Sequence, residues 1–321
     1  MTQRPVLDPS PENSSFSSTI PGLQIAWDST SLGTLKECPR KYQYSIMQGK
    51  QPREISVHLS FGLYYHAALE WYDHQKSRGA SHGDAVRSTV RKTLEITWNR
   101  KLLRPWFSDD KYKNRATLLR SVVWYLEQFA EDSVQTIQLA NGKPAVELSF
   151  RLGLDHRAPS GEEYMICGHI DRLVMFNGRP FVLDRKTTKS QLMPEFFERF
   201  TPDNQMSTYA FASKIIYNTP TDGLIIDAAQ IAVGFTRFQR GVVQRTESQL
   251  DDWFNDTLMW ISMAEEFARR QHWPQNDKSC SNYGGCPFRS VCAKPPSTRE
   301  LWLQQSYAKR VWNPLIARGD V

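Results

Sequence analysis

The sequence has no long apolar run. No stretch of its 321 residues reaches the roughly 20 consecutive apolar positions that a bilayer-spanning helix needs. The opening residues, MTQRPVLDPSPENSSFSSTIPG, lack the apolar core of a secretory signal, so a cytoplasmic location is expected and no membrane partner. Cysteine is scarce. There are five, an odd number, which argues against a disulfide framework. There is no glycine-rich phosphate-binding loop, no helicase-type motif and no internal repeat, so nothing points to an ATP-driven motor or a solenoid.

What is present fits a folded protein with one large core or two modest ones. Hydrophobic residues make up 40% and charged residues 23%. The formal net charge is +6, which suits a polyanionic partner without identifying one. Basic residues around 86–115 interleave with Trp98, Trp106, Phe107 and Tyr112. Such a mixture tracks single-stranded nucleic acid, or forms the wet and core faces of ordinary helices.

Apolar spacing predicts helices over 28–46, 58–78, 82–103 and 112–138, the last two split at Pro105. AVELSFRLGL (145–154) alternates and reads as a strand. A turn of helix is expected over 195–200. A longer helix capped by Asp203 or Asn204 follows, then a single strand over 224–238 and a helix over 246–270. RELWLQQSYAKRVW reads as a final helix.

The most informative stretch is GHIDRLVMFNGRPFVLDRK, residues 168–186. Two β-prone runs flank Asn177-Gly178, a strong hairpin signal. A turn centred there places Asp171 opposite Asp184, and Lys186 on the same face as Asp184. Two carboxylates and an ammonium then converge. That is the donor chemistry of a hard divalent cation beside a phosphate. Solvated charge on an exposed strand is the plain alternative, although Asp is depleted in strands.

These residues resemble the PD-(D/E)XK nuclease superfamily in its RecB-like branch, with its CRISPR-associated iron–sulfur exonucleases. The GxxDR segment, the turn and the D-x-K-T segment match the family's catalytic strands. Gln205 and Tyr209 match its Q-x-x-x-Y helix, His66 in FGLYYHAALEWY its upstream G-x-x-x-H helix, and Cys38 in LKECPRKYQY its N-terminal CPRKY-type segment. The likeness runs over about residues 28–295. It implies an α/β fold: a mixed central sheet flanked by helices, a helical N-terminal region and a C-terminal cysteine-rich segment.

By the same resemblance, Asp171, Asp184 and the Arg185 carbonyl hold Mg²⁺ or Mn²⁺ with His66 as a further ligand. Lys186 orients or activates the attacking water. Gln205 and Tyr209 hold Lys186 or the DNA strand. Read on their own, His66 also fits a satisfied helix histidine, Tyr209 a core residue, and Arg172 a phosphate contact or a salt bridge.

Three of the five cysteines, Cys280, Cys286 and Cys292, fall in one loop-rich segment at C-x5-C-x5-C spacing and need a fourth ligand to enclose a metal. The resemblance implies that Cys38 supplies it around a 4Fe–4S cluster. Zinc held by four thiolates is the alternative, because the family's closer C-x2-C spacing is absent. Cys167 reads as a small buried hydrophobe.

The expected organisation is a flexible leader (1–24), a nuclease domain (25–295) and a tail (296–321). Within the domain lie a helical part (58–138), a catalytic core (143–270) and a cysteine segment (280–292) joined to Cys38. The implied function is metal-dependent exonucleolytic cleavage of single-stranded DNA or DNA ends. Its setting would be recombination, repair, or CRISPR or phage DNA processing, with a recombination or CRISPR adaptation protein as partner. The alternative is a noncatalytic DNA-binding or scaffold subunit of the same fold.

Overall fold

Asn177 and Gly178 take φ values of 50° and 73°, the left-handed conformation that a two-residue hairpin turn demands and few residues tolerate. In the computed structural model, which describes residues 14–139, 141–217 and 223–316, this turn joins strands Glu163–Phe176 and Arg179–Thr188. The register runs from Phe176↔Arg179 to Arg172↔Leu183, as the turn predicts.

The elements before that hairpin are β1 (Ala26–Trp27), α1 (Ser29–Glu37), α2 (Pro39–Tyr42), β2 (Lys50–Pro52), α3 (Val57–Ser77), α4 (His82–Ile96), β3 (Trp98–Asn99), β4 (Arg104–Pro105), α5 (Arg115–Gln128), β5 (Gln135–Thr136) and β6 (Val146–Arg157). The hairpin strands are β7 and β8. Then come α6 (Pro194–Glu198), α7 (Asn204–Tyr217), β9 (Leu224–Ile231), β10 (Thr236–Val243) and α8 (Glu247–Arg270). Beyond them lie α9 (Arg289–Cys292), α10 (Pro296–Ser306) and β11 (Tyr307–Lys309).

Seven strands form one mixed sheet in the order β1-β7-β8-β9-β10, with β5 and β6 also on β7. The β8–β9 pair is parallel, which requires a crossover; α6 and α7 supply it. Strand β9 is buried at every position. Its Ala229 and Ile231 meet Phe61, Tyr65 and Leu69 of α3 and Leu118 and Val122 of α5. Its Leu224, Ile226 and Ala228 join the larger core with residues of α1, α7 and α8. The sheet is therefore covered on both faces, the three-layer arrangement that buries a parallel pair. Each large side chain buried there, Phe61 or Leu69 for example, contributes roughly 2 kcal/mol.

Several expectations change. The helix expected over 28–46 divides, because Pro39 cannot donate to the preceding turn and begins α2 instead. A π-helical turn follows over Gln43–Met47. The helix over 82–103 stops at Ile96, and β3 and β4 form a small hairpin beyond it. The helix over 112–138 starts at Arg115 and stops at Gln128. Arg240 then grips both Asp132 oxygens at 2.7 Å, and Gln135–Thr136 pairs with β7. The strand over 224–238 is two antiparallel strands, turning between Ile231 and Thr236 at Gly234. The final helix ends at Ser306, and β11 pairs with β2, tying C-terminal to N-terminal segments. Of the expected leader, residues 1–13 lie outside the described residues. Within 14–24, Ser15, Leu23 and Gln24 are buried, and Gln24 bridges to Phe16. Among the described residues, no helix is long and apolar enough to cross a membrane.

Candidate active site

Strands β7 and β8 part at the carboxylates. Their ladder ends at Arg172↔Leu183, one step short of Asp171 and Asp184. From there β8 continues alongside β9 as far as Thr188. The Arg185 amide, released from β7, donates to Asp171 Oδ2 at 3.0 Å. The fork opens the sheet where the two carboxylates lie. Both are buried, Asp184 almost completely.

Helix α3 reaches the fork from the side. His66 Nδ1 lies 3.3 Å from Asp171 Oδ2. Two turns on, Asp73 is buried and pairs with Arg185 Nη2 at 2.7 Å and Arg172 Nη2 at 3.8 Å. Arg172 is thus a salt-bridge partner, with Nε also donating to Thr136 Oγ1. Breaking a buried pair of this kind costs about 3–5 kcal/mol, so the helix carrying His66 is fixed to the strands carrying the aspartates.

On the other side of the fork, Lys186 Nζ sits 2.7 Å from Asp184 Oδ2 and donates to Gln205 Oε1 at 2.7 Å. The Gln205 amide donates to the Tyr209 hydroxyl at 2.9 Å. Asp203 caps α7 by accepting from the Met206 amide, which sets Gln205 and Tyr209 one turn apart on the face toward Lys186. Tyr209 itself is buried in the core against Phe150. His66 meets Asp171, and Asp184, Lys186, Gln205 and Tyr209 are joined in sequence. The hydrogen-bond chain runs to the lysine.

One member has no sequence signal. Glu147 of β6 lies between the register pairs Val146↔Arg172 and Leu148↔Ile170, hence across from Asp171. It is buried, and its φ is 49°. A non-glycine residue in this region is strained by about 1–2 kcal/mol, and such strain gathers at functional sites. His66, Glu147 and Asp171 each present one ligand atom within 4.8 Å of the others. An imidazole and two carboxylates at this spacing fit a divalent cation. Glu147→Gln is expected to weaken Mn²⁺ binding by roughly tenfold or more with the fold retained. Calorimetric titration checks this, and an unchanged affinity would remove Glu147 from the ligand set.

The charges respond to one another. Burial pushes the Asp171 carboxyl up, but His66, Lys186 and the Arg185 amide outweigh it and hold Asp171 below the usual carboxylate range. Burial pushes Asp184 up, helped by the Asp171 charge and opposed by Lys186. Burial lowers His66 and Lys186, yet the carboxylates overcome it and raise both.

Four of the cysteines lie near one another. The Asn276 amide donates to Cys38 Sγ at 3.4 Å, the Asn276 carbonyl faces Cys280 Sγ at 3.9 Å, and the Cys286 amide donates to the Cys280 carbonyl. Cys286 and Cys292 pack against Tyr44, Phe288, Val291 and Leu303. Burial raises both thiols, and each feels the Cys38 thiol. Cys38 is therefore brought to the other three, from more than two hundred residues away. Cys167 stays apart. It is fully buried in the sheet, and burial pushes its thiol up.

A family model of the PD-(D/E)XK nuclease superfamily matches residues 27–293. No curated protein matches the chain. Among solved structures, one from Eubacterium rectale named "Putative exonuclease" is similar at 13% identity and a TM-score of 0.49, over 86% of this chain and 92% of that one. The structure of SSO0001 is similar at 11% identity and a TM-score of 0.35, over 84% and 87%.

Proposed function

Because the chain belongs to the PD-(D/E)XK nuclease superfamily, we propose that it is a divalent-metal-dependent DNA exonuclease. It hydrolyses phosphodiester bonds in single strands or at DNA ends, in recombination, repair, or CRISPR or phage DNA processing. The observation that carries this reading is the convergence of His66, Glu147 and Asp171 within 4.8 Å, beside the Asp184–Lys186 pair.

Asp171, Asp184, His66 and the Arg185 carbonyl hold Mg²⁺ or Mn²⁺, and Glu147 joins them. The imidazole favours Mn²⁺, since nitrogen is the softer donor. A bound ion would lower the pKa of a water and neutralise charge on the phosphate. Lys186 orients or activates the attacking water, its ammonium set between Asp184 and Gln205. Gln205, backed by Tyr209, keeps that ammonium aimed at the fork.

Cys38, Cys280, Cys286 and Cys292 hold a 4Fe–4S cluster, and the donor set supports this reading. Four thiols meet, and Lys41 and Arg40 offset part of the burial that raises Cys286 and Cys292. Zinc held by the same four thiolates is the alternative, and metal analysis separates the two.

Exonucleolytic action is tested with linear and covalently closed circular single-stranded DNA in Mn²⁺. The linear form is expected to shorten from its ends while the circle persists. Cutting of the circle at a similar rate would show an endonuclease instead.

A further inference from the structure

We propose that Lys113, with Lys189 and the ring of His58, forms a second anion site that takes a non-bridging oxygen of a DNA phosphate next to the scissile one. The inference rests on the nuclease reading and extends it to how the strand is held.

Lys113 precedes α5 and is 3% exposed. Its ammonium donates to the Thr187 carbonyl at 3.3 Å and to Thr187 Oγ1 at 3.1 Å, and it lies 5.3 Å from the centre of the Phe61 ring. Among the described residues, these neutral groups are its contacts, and no carboxylate lies within ion-pairing distance. Burying an ammonium without a counter-ion is unfavourable by several kcal/mol. The nearest carboxylate, Asp110, is taken by Lys189 and by the amides of Tyr112 and Lys113. Burial and the Lys189 charge bring Lys113 down to about 8. His58 is lowered too, by burial and then by Lys189 and Lys113. Three basic groups thus face one another with one carboxylate among them, and an arriving phosphate would relieve the imbalance.

The cluster's place gives it a purpose. Along β8, Thr187 follows Lys186 directly, and Lys189 lies just beyond the strand's end at Thr188. Along α3, His58, Gly62 and His66 recur every four residues on one face. Gly62 keeps that stripe low: a side chain there would meet Thr187 Oγ1 at 3.9 Å. Two elements therefore lead from the metal ligands and Lys186 to Lys113. Gly62 is one helical turn from His66, about 6 Å along the axis, the scale of the step between neighbouring phosphates. A lysine serves such a contact as a point charge.

Lys113→Gln and Lys113→Arg are compared with wild type by anisotropy of a labelled single-stranded oligonucleotide in EDTA, across a salt series. The glutamine variant is expected to bind about tenfold more weakly, and its log–log salt slope to flatten by about 0.7. The arginine variant should restore both. A purely structural Lys113 would alter the thermal transition and leave the slope alone. Wild-type binding with an unchanged glutamine variant would overturn the anion site and leave the nuclease reading standing. Absence of wild-type binding would overturn both. If Lys113→Gln does not fold, Lys189→Gln decides, since it should flatten the slope in the same way and an unchanged slope would refute the site.

Discussion

Lys186→Ala is expected to lower DNA cleavage by about a thousandfold, with DNA binding and the thermal transition little changed. The loss should fall on kcat rather than KM, because this ammonium serves charge that develops during reaction. Its neighbours explain why the fold survives. Lys186 keeps 27% of its side chain in solvent, so little packing is lost. Asp184, already pushed up by burial, accepts a proton when its cationic partner is gone. Gln205 loses a donor but keeps Tyr209. Asp184→Ala should show the same separation of activity from folding. Rates are read under single-turnover conditions, and folding by thermal denaturation. Cleavage retained in the double variant would sink the assignment of the fork as the active site.

Cys286→Ala, by contrast, should act on stability. The variant is expected to lose the brown iron chromophore and to melt on the order of 10 °C lower. Cys38 and Cys292 are separated by most of the chain, and a staple between them removes about 5 kcal/mol of unfolded-state entropy on the chain-entropy account. In a domain of this size that corresponds to a shift of such magnitude. Cys286 and Cys292 pack with Tyr44, Phe288, Val291 and Leu303, none of them a residue of the fork, so the cleavage rate per folded molecule should hold. Removing iron from the wild type should reproduce the variant. A colourless wild-type protein as stable as Cys286→Ala would count against any cluster, and one zinc per chain would replace iron with the alternative staple.

The fork was readable in the sequence because local rules set it. Asn177-Gly178 determines the turn, the turn determines the register, and the strand period puts Lys186 beside Asp184. His66 was recognised only through resemblance, since nothing local says that α3 crosses near Asp171. Glu147 was not visible at all. Its place depends on how β6 pairs with β7 and on an unusual backbone conformation. The misjudged boundaries share a cause. Asp132 in a polar run ends a helix because Arg240, far along the chain, binds it. Gly234 lies in a strand-like run and becomes a turn because β10 folds back on β9. In each case tertiary partners override a local pattern.

The central claim is that the forked site performs metal-dependent hydrolysis of DNA. Its most direct test is cleavage of end-labelled single- and double-stranded DNA by anaerobically purified protein in Mn²⁺, Mg²⁺ or EDTA. Degradation in Mn²⁺ that stops in EDTA and resumes when Mn²⁺ is restored is the predicted result. Binding of DNA without cleavage under every metal would contradict it, and would leave a nuclease fold whose role is to hold DNA for another protein.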